Sequence, residues 1–217
     1  MSNEWVRAVW PAPANIVAGT TTRQNAAFAF PAEPKWLNQV HGTRVVQWGS
    51  DDFEAGPPDA DAIIASRPGS ICVVRTADCL PILLCARDGS EIAAVHAGWR
   101  GLAAGVIEET LAAMVTGGAD LLAWFGPAIS QAAFEVGAEV RQAFLERDPE
   151  AAAAFAENER GRWQADLFLL ASQRLGAAGV SSISGGDLCT FADAKRFYSF
   201  RRDGETGRLY SFIYKSS

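Results

Sequence analysis

Residues 71–101 read ICVVRTADCLPILLCARDGSEIAAVHAGWRG. Three apolar runs lie in this stretch, Ile71 to Val74, Leu80 to Leu84 and Ile92 to Val95. Short runs rich in Val, Ile and Leu, bounded by turn residues, predict strands buried on both faces. The polar TADC stands between the first two, and the third delivers His96 into the small-residue turn AGWRG. Reactive side chains are commonly carried where buried strands end in loops. Cys79 and His96 are therefore the first candidates for chemistry.

Beyond His96, Leu102 to Val115 shows the 3.6-residue period, with Val106, Ile107, Leu111 and Met114 on one face and Glu108 and Glu109 on the other. That predicts a helix stopped by Gly117-Gly118. Upstream, Asp61 to Ser66 and Arg44 to Trp48 read as strands, and Trp36 to Val40 as an extended piece, with His41-Gly42 in the turn between the last two. Nearer the N-terminus, strands are expected at Glu4 to Trp10 and at Ile16 to Thr22, which Arg23 follows, with a loop at Gln24 to Pro34. Downstream, a strand is expected at Leu121 to Phe125. Helices are expected at Ala138 to Arg147, for a turn or two at Ala151 to Ala156, and at Leu167 to Ala178 under an Asp166 N-cap. The tail FYSFRRDGETGRLYSFIYK, 197–215, reads as a hairpin around DGETG. Strands outnumber helices and do not alternate with them, so the expected class is α+β.

The 217 residues are 49% hydrophobic, enough for one ordinary core. A net charge of −6 and a pI near 5.0 argue against nucleic acid as a partner, because phosphate-backbone binding depends on clustered Lys and Arg. No basic leader precedes an apolar segment, and no run approaches the ~20 apolar residues of a membrane helix, so a cytoplasmic protein without membrane attachment is expected. Four cysteines in such a chain are expected as reduced thiols, Cys72 and Cys85 as core residues. No heptad pattern or apolar patch is legible, and a monomer is expected.

The chain has two histidines, each in a glycine-flanked turn after an apolar run: VHG at 40–42 and VHAGWRG at 95–101. His41, His96 and Cys79 make a soft three-ligand set suited to Zn²⁺, which leaves a fourth position for water or substrate. Bound water would ionise near neutral pH and attack an electrophilic carbon such as C6 of adenine. Without metal, the same residues make a Cys nucleophile activated by His. The sequence supports both uses, and the spacings match no short zinc motif. Gly98, Gly101 and Gly105 either present backbone amides to an anion or let a helix pack closely on a sheet. Arg23 and Arg100 are candidates for a phosphate or carboxylate, and Gln39, two residues before His41, for a substrate contact. Asp59, Asp61 and Asp78 read as acids or bases, or as turn and cap residues.

NQVHG, DADAIIA, RTADCLPILL, AAVHAGWRG, FGPAIS and FYSFRRDG with TGR together resemble the laccase-domain family, variously called multicopper polyphenol oxidases, purine nucleoside phosphorylases and peptidoglycan editing factors. The resemblance covers about residues 16–213. It implies a layered α/β sandwich with mixed sheets and a single laccase-like domain of the phosphorylase type over 1–217. It also implies metal ligation by His41, Cys79 and His96, with zinc as cofactor and copper as the alternative, and it places the arginine of the family's TTR motif at Arg23. Many relatives continue from that motif into a GGVS-like turn and a helical insertion, whereas this chain continues with QNAAFAF.

The implied activity is phosphorolysis of adenosine, inosine, guanosine or methylthioadenosine, with deamination of adenosine. Its partners would be a small-molecule nucleoside and phosphate. Cys79, His41, His96 and Arg23 would be catalytic, and Arg23, Gln39 and Arg100 substrate-binding. The alternatives are a copper-dependent polyphenol oxidoreductase, for which two imidazoles are few, and a Cys/His amidase editing peptidoglycan precursors, in which Cys79 attacks the amide. A non-enzymatic binding module is the remaining class.

Overall fold

The computed structural model describes residues 5–25 and 28–216. Strands β1 (Val6–Arg7), β2 (Ile16–Thr20), β3 (Val45–Gln47) and β4 (Ala62–Ala65) come first. The three apolar runs of the central stretch follow as β5 (Ile71–Thr76), β6 (Leu80–Ala86) and β7 (Ile92–Ala97). Then come helices α1 (Trp99–Ala104) and α2 (Val106–Ala113), strands β8 (Leu121–Phe125) and β9 (Glu135–Val136), and helix α3 (Ala138–Leu145). Strands β10 (Phe155–Glu157) and β11 (Trp163–Ala165), helix α4 (Leu167–Ala177), strand β12 (Ser182–Gly185), helix α5 (Phe200–Asp203) and strand β13 (Leu209–Lys215) complete the order.

Three sheets result. A six-stranded sheet runs β12-β8-β6-β7-β4-β3, a four-stranded sheet runs β1-β2-β13-β5, and a small one runs β10-β11-β9. The six-stranded sheet is mixed, because β12–β8 and β3–β4 are parallel and its other pairs antiparallel. Its central strands are buried on both faces, and the two-residue period sorts their side chains. Leu80, Ile82 and Leu84 of β6 face a cluster shared with Val106, Ile107, Val140, Phe144, Leu167 and Leu170 of the helices. Leu83 and Cys85 face the opposite cluster, with Cys72 and Val74 of β5 and Ile213 of β13. The layers are thus sheet, sheet and helices, an α+β sandwich in one body. Cys72 and Cys85 are fully buried core residues, and all four cysteines are free thiols. Burial pushes the Cys85 thiol up to about 12 and Cys72 higher still.

Several local expectations change. The helix expected over 102–115 is two helices, broken at Gly105, whose φ of 109° ends α1 and begins α2. The hairpin expected over 197–215 does not form. Ser199 accepts a hydrogen bond from Arg202 N and caps the short helix α5, while β13 is flanked on both edges by β2 and β5, so no edge is left for a second tail strand. Residues 149–154 form a 3₁₀ turn and 155–157 a strand. The extended piece at 36–40 supplies an isolated bridge at Asn38, beside one at Lys35. Asp166 caps α4 as expected, accepting from Leu169 N at 3.0 Å. Within the first expected strand Glu4 lies outside the described residues, as do residues 26–27 of the expected loop.

Candidate metal and catalytic site

Asp61, fully buried just before β4, organises the site. Its carboxylate accepts three consecutive backbone amides, Val40 N at 3.3 Å, His41 N at 3.0 Å and Gly42 N at 2.7 Å. Those bonds hold His41 in the left-handed region, with φ of 61°. The same carboxylate accepts His96 Nδ1 at 2.7 Å, and the Asp61 carbonyl accepts His96 N at 2.7 Å. Against an ionised carboxylate, Nδ1 donates its proton to Asp61, so Nε2 is the ring nitrogen left to face Cys79 or a cation. Burial would raise the Asp61 carboxyl, but the bonds from His96, Gly42 and His41 hold it below its usual range.

His96 stands within β7, paired with Pro81 and 3% exposed, and not in the turn expected for it. The reason is that ladder pairing with β6 continues to Ala97 and Leu80. Cys79 is delivered by a second strained residue, Asp78, with φ of 94°. The Asp78 carboxylate accepts from Thr190 Oγ1 at 2.6 Å and Arg201 N at 2.7 Å, and its carbonyl accepts from Ile129 N at 2.9 Å. Asp78 therefore serves as an anchor. Non-glycine residues at positive φ cost energy that the surroundings must offset. Among the described residues the two that do so, His41 and Asp78, both belong to this site.

The ligand atoms of His41, Cys79 and His96 all lie within 4.8 Å of one another. Cys79 Sγ is 3.8 Å from His41 Nε2, and the imidazole rings are 4.8 Å apart at 74°. Two imidazole nitrogens and a thiol form a donor set for a soft or borderline cation, and three ligands leave a coordination position open. Tetrahedral zinc with ~2.0 Å Zn–N and ~2.3 Å Zn–S bonds sets its ligands about 3.5 Å apart, so the set fits after a small contraction. Burial pushes the Cys79 thiol up, but hydrogen bonds and charge from His41 and His96 outweigh it and bring it down to about 6. Burial likewise lowers His96, but its bond to Asp61 and the neighbouring Cys79 raise it to about 9.

Gly98 and Gly101 answer the packing question. A Cβ at Gly98 would lie 2.7 Å from His41 Cδ2 and 3.1 Å from Cys79 Sγ, and one at Gly101 would lie 2.7 Å from Gly42 O. Both positions are glycine because the 41–42 backbone and the His41 and Cys79 side chains press against them.

The three residues open onto a cavity of about 620 Å³. Trp99, Ile129, Phe134, Leu167 and Phe200 supply apolar lining, and Arg75, Arg100, Arg201 and Arg208 also line it. Of the other residues singled out in the sequence, Arg100 is on the lining with its guanidinium 4.4 Å from the Trp99 ring. Gln39 is on the lining too, but its amide donates to Arg75 O and accepts from Arg75 N, both at 2.8 Å, tying the 38–42 segment to β5. Arg23 is not on the lining. It donates to Ala194 O at 2.8 Å and lies over the Tyr198 ring. Sequence reasoning missed Arg75, Arg201 and Arg208. The signal for Arg75 was available, as a charge that directly follows an apolar run; Arg201 and Arg208 were absorbed into the expected hairpin.

Residues 12–216 match the sequence family described as multi-copper polyphenol oxidoreductase laccase. The chain is 50% identical over 189 residues to a Shigella flexneri protein named purine nucleoside phosphorylase YfiH, covering 87% of this chain and 76% of the relative. It is 43% identical over 245 aligned positions to a Pseudomonas aeruginosa protein also named purine nucleoside phosphorylase, covering 98% of each. Among solved structures, a Neisseria meningitidis protein superposes with a TM-score of 0.91 at 40% identity, covering 98% of this chain and 99% of that one. The YlmD protein of Geobacillus stearothermophilus superposes with a TM-score of 0.88 at 26% identity, covering 100% and 98%.

Proposed function

The chain belongs to the multi-copper polyphenol oxidoreductase laccase family, and from that premise we propose that it is a purine nucleoside phosphorylase that also deaminates adenosine. The observation that carries this reading is the cavity itself, in which the His41–Cys79–His96 set meets an apolar wall of Trp99, Phe134 and Phe200. Phe200 is 60% exposed at that wall, a flat face suited to stacking a purine. The relatives named purine nucleoside phosphorylase point the same way.

In phosphorolysis a phosphate oxygen bonds to the sugar's anomeric carbon as the bond from that carbon to the purine nitrogen breaks. The electron pair leaves with the purine, which takes up a proton. Arg100, on the cavity lining, holds the attacking phosphate; Arg23, bonded to Ala194 O, supports the 194–198 segment. Gln39 and Asp61 keep the 38–42 segment in place. In deamination, water adds to C6 of adenine and ammonia departs, giving inosine. Zinc, with His41, Cys79 and His96 as its ligands, supplies Lewis-acid charge and a more acidic water when bound. Only two histidines are present, which disfavours oxidation by several coppers, since each copper takes imidazole ligands.

The closeness of Cys79 Sγ to His41 Nε2 favours one second reading, a Cys amidase acting on a peptidoglycan precursor. The deciding experiment follows adenosine by chromatography, with and without phosphate, for metal-quantified wild type and Cys79→Ala. Phosphate-dependent adenine, or inosine, made by wild type and lost in the variant is expected. Absence of purine turnover by a folded, metal-loaded protein would sink the phosphorylase reading and favour the amidase. One zinc per active chain makes the three side chains ligands and leaves proton delivery to water. Activity without metal instead makes His41 the proton donor to the purine.

A further inference from the structure

The chain carries a net charge of −6, yet the cavity is lined by four arginines, Arg75, Arg100, Arg201 and Arg208, against one carboxylate, Asp78. Asp78 is engaged by Thr190 and Arg201 N. None of the four guanidiniums is in an ion pair among the described residues. Their partners are neutral: Arg75 donates to Leu37 O, Arg201 to Glu135 O, and Arg208 to Thr206 O and Gly207 O, while Arg100 lies over Trp99. Each guanidinium has five donors, so most remain for a ligand.

Strand register places two of them together. Tyr210 of β13 pairs with Arg75 of β5, and Leu209 with Thr76. Arg208 immediately precedes β13, two residues before Tyr210, and both it and Arg75 line the cavity at this end of the strand pair. Arg201 is bound through its backbone to Asp78, the residue before Cys79. One phosphate is held by one or two such forks, and four exceed what the attacking phosphate of the proposed reaction requires.

We propose that the organic substrate carries its own phosphate. The cavity takes a nucleoside monophosphate, with Arg75, Arg201 and Arg208 on the phosphate ester and Arg100 on the attacking phosphate. This rests on the nucleoside reading above and makes the 5′-monophosphate the preferred form of the same purine substrate.

The test is calorimetric binding of adenosine 5′-monophosphate and of adenosine to the full, metal-loaded chain, for wild type, Arg75→Ala, Arg208→Ala and Arg208→Lys, beside phosphorolysis of both compounds. Wild type is expected to bind the monophosphate at least tenfold more tightly. Each alanine variant is expected to lower the monophosphate-to-adenosine affinity ratio by about tenfold, since a charge-assisted bond to phosphate is worth about that much. Arg208→Lys should retain part of the preference. Equal affinity for the two compounds, or a preference that survives both alanine variants, overturns the inference. Adenosine phosphorolysis without monophosphate preference overturns it too and leaves the phosphorylase reading in place. Arginine-dependent monophosphate binding without phosphorolysis of either compound supports the ester site of Arg75, Arg201 and Arg208 and overturns the attacking-phosphate role of Arg100 together with the phosphorylase reading.

Discussion

A methyl group at position 98 would lie 2.7 Å from His41 Cδ2 and 3.1 Å from Cys79 Sγ. Neither neighbour can give way freely, because the His41 backbone is bound to Asp61 and Cys79 follows the anchored Asp78. Gly98→Ala is therefore expected to displace the imidazole and lower kcat/KM by about 10², the scale of a 1 Å misplacement. The fold should survive, with cooperative thermal unfolding retained. Steady-state kinetics beside metal content are the check, and wild-type activity in the variant would refute this account of the glycine. At this scale the sequence named His41, Cys79 and His96 because rare, reactive residue types stood at strand ends. Asp61 was harder to read, since an acid before a strand is ordinarily a turn residue. Only its contacts to 40–42 and His96 show that one buried carboxylate aligns two members of the set.

Between α1 and α2 the chain turns through Gly105 at φ of 109°. The apolar period of Leu102 to Val115 crosses that break without a change of face, which is why it reads as one helix. Periodicity reports which side is buried and is blind to a single residue of reversed handedness. An L side chain there costs about 1–2 kcal/mol, and Arg147 Nη1, which would stand 2.7 Å from the added Cβ, can swing aside. Gly105→Ala is expected to lower Tm by about 2–8 °C, taking ~2–4 °C per kcal/mol for a chain of this size. Thermal unfolding by circular dichroism measures it, and an unchanged Tm would show that the break is not strained by a side chain. The tail illustrates the opposite limit. Its aromatic runs and DGETG suit a hairpin locally, but β13 finds β2 and β5 as partners, and Ser199 caps α5.

Over the whole molecule, the set that can hold a cation joins residues 41, 79 and 96, and Asp61 and Asp78 tie in the segments around 40–42, 129, 190 and 201. A metal bound to the folded chain alone stabilises it by mass action, about 2.7 kcal/mol at a hundredfold excess over Kd. Loading with zinc is accordingly expected to raise Tm by about 5–10 °C over chelated protein, and Cys79→Ala should lose most of that rise. Scanning calorimetry of the loaded, chelated and variant proteins decides it, and identical Tm values for the first two would count against a metal site. The central strands and the helix under Asp166 followed from the sequence alone, and the sequence singled out His41, Cys79 and His96, which the fold brings within 4.8 Å of one another. Burial on both faces of a strand, a cap and a reactive residue type are local properties, written within a few positions of one another. Tertiary structure decided that His96 lies inside a strand, that Arg23 stands off the cavity lining, and that Arg75, Arg201 and Arg208 line it together. Such convergence depends on which strands become neighbours, and β5 meets β13 across more than half the chain, where no local pattern reaches.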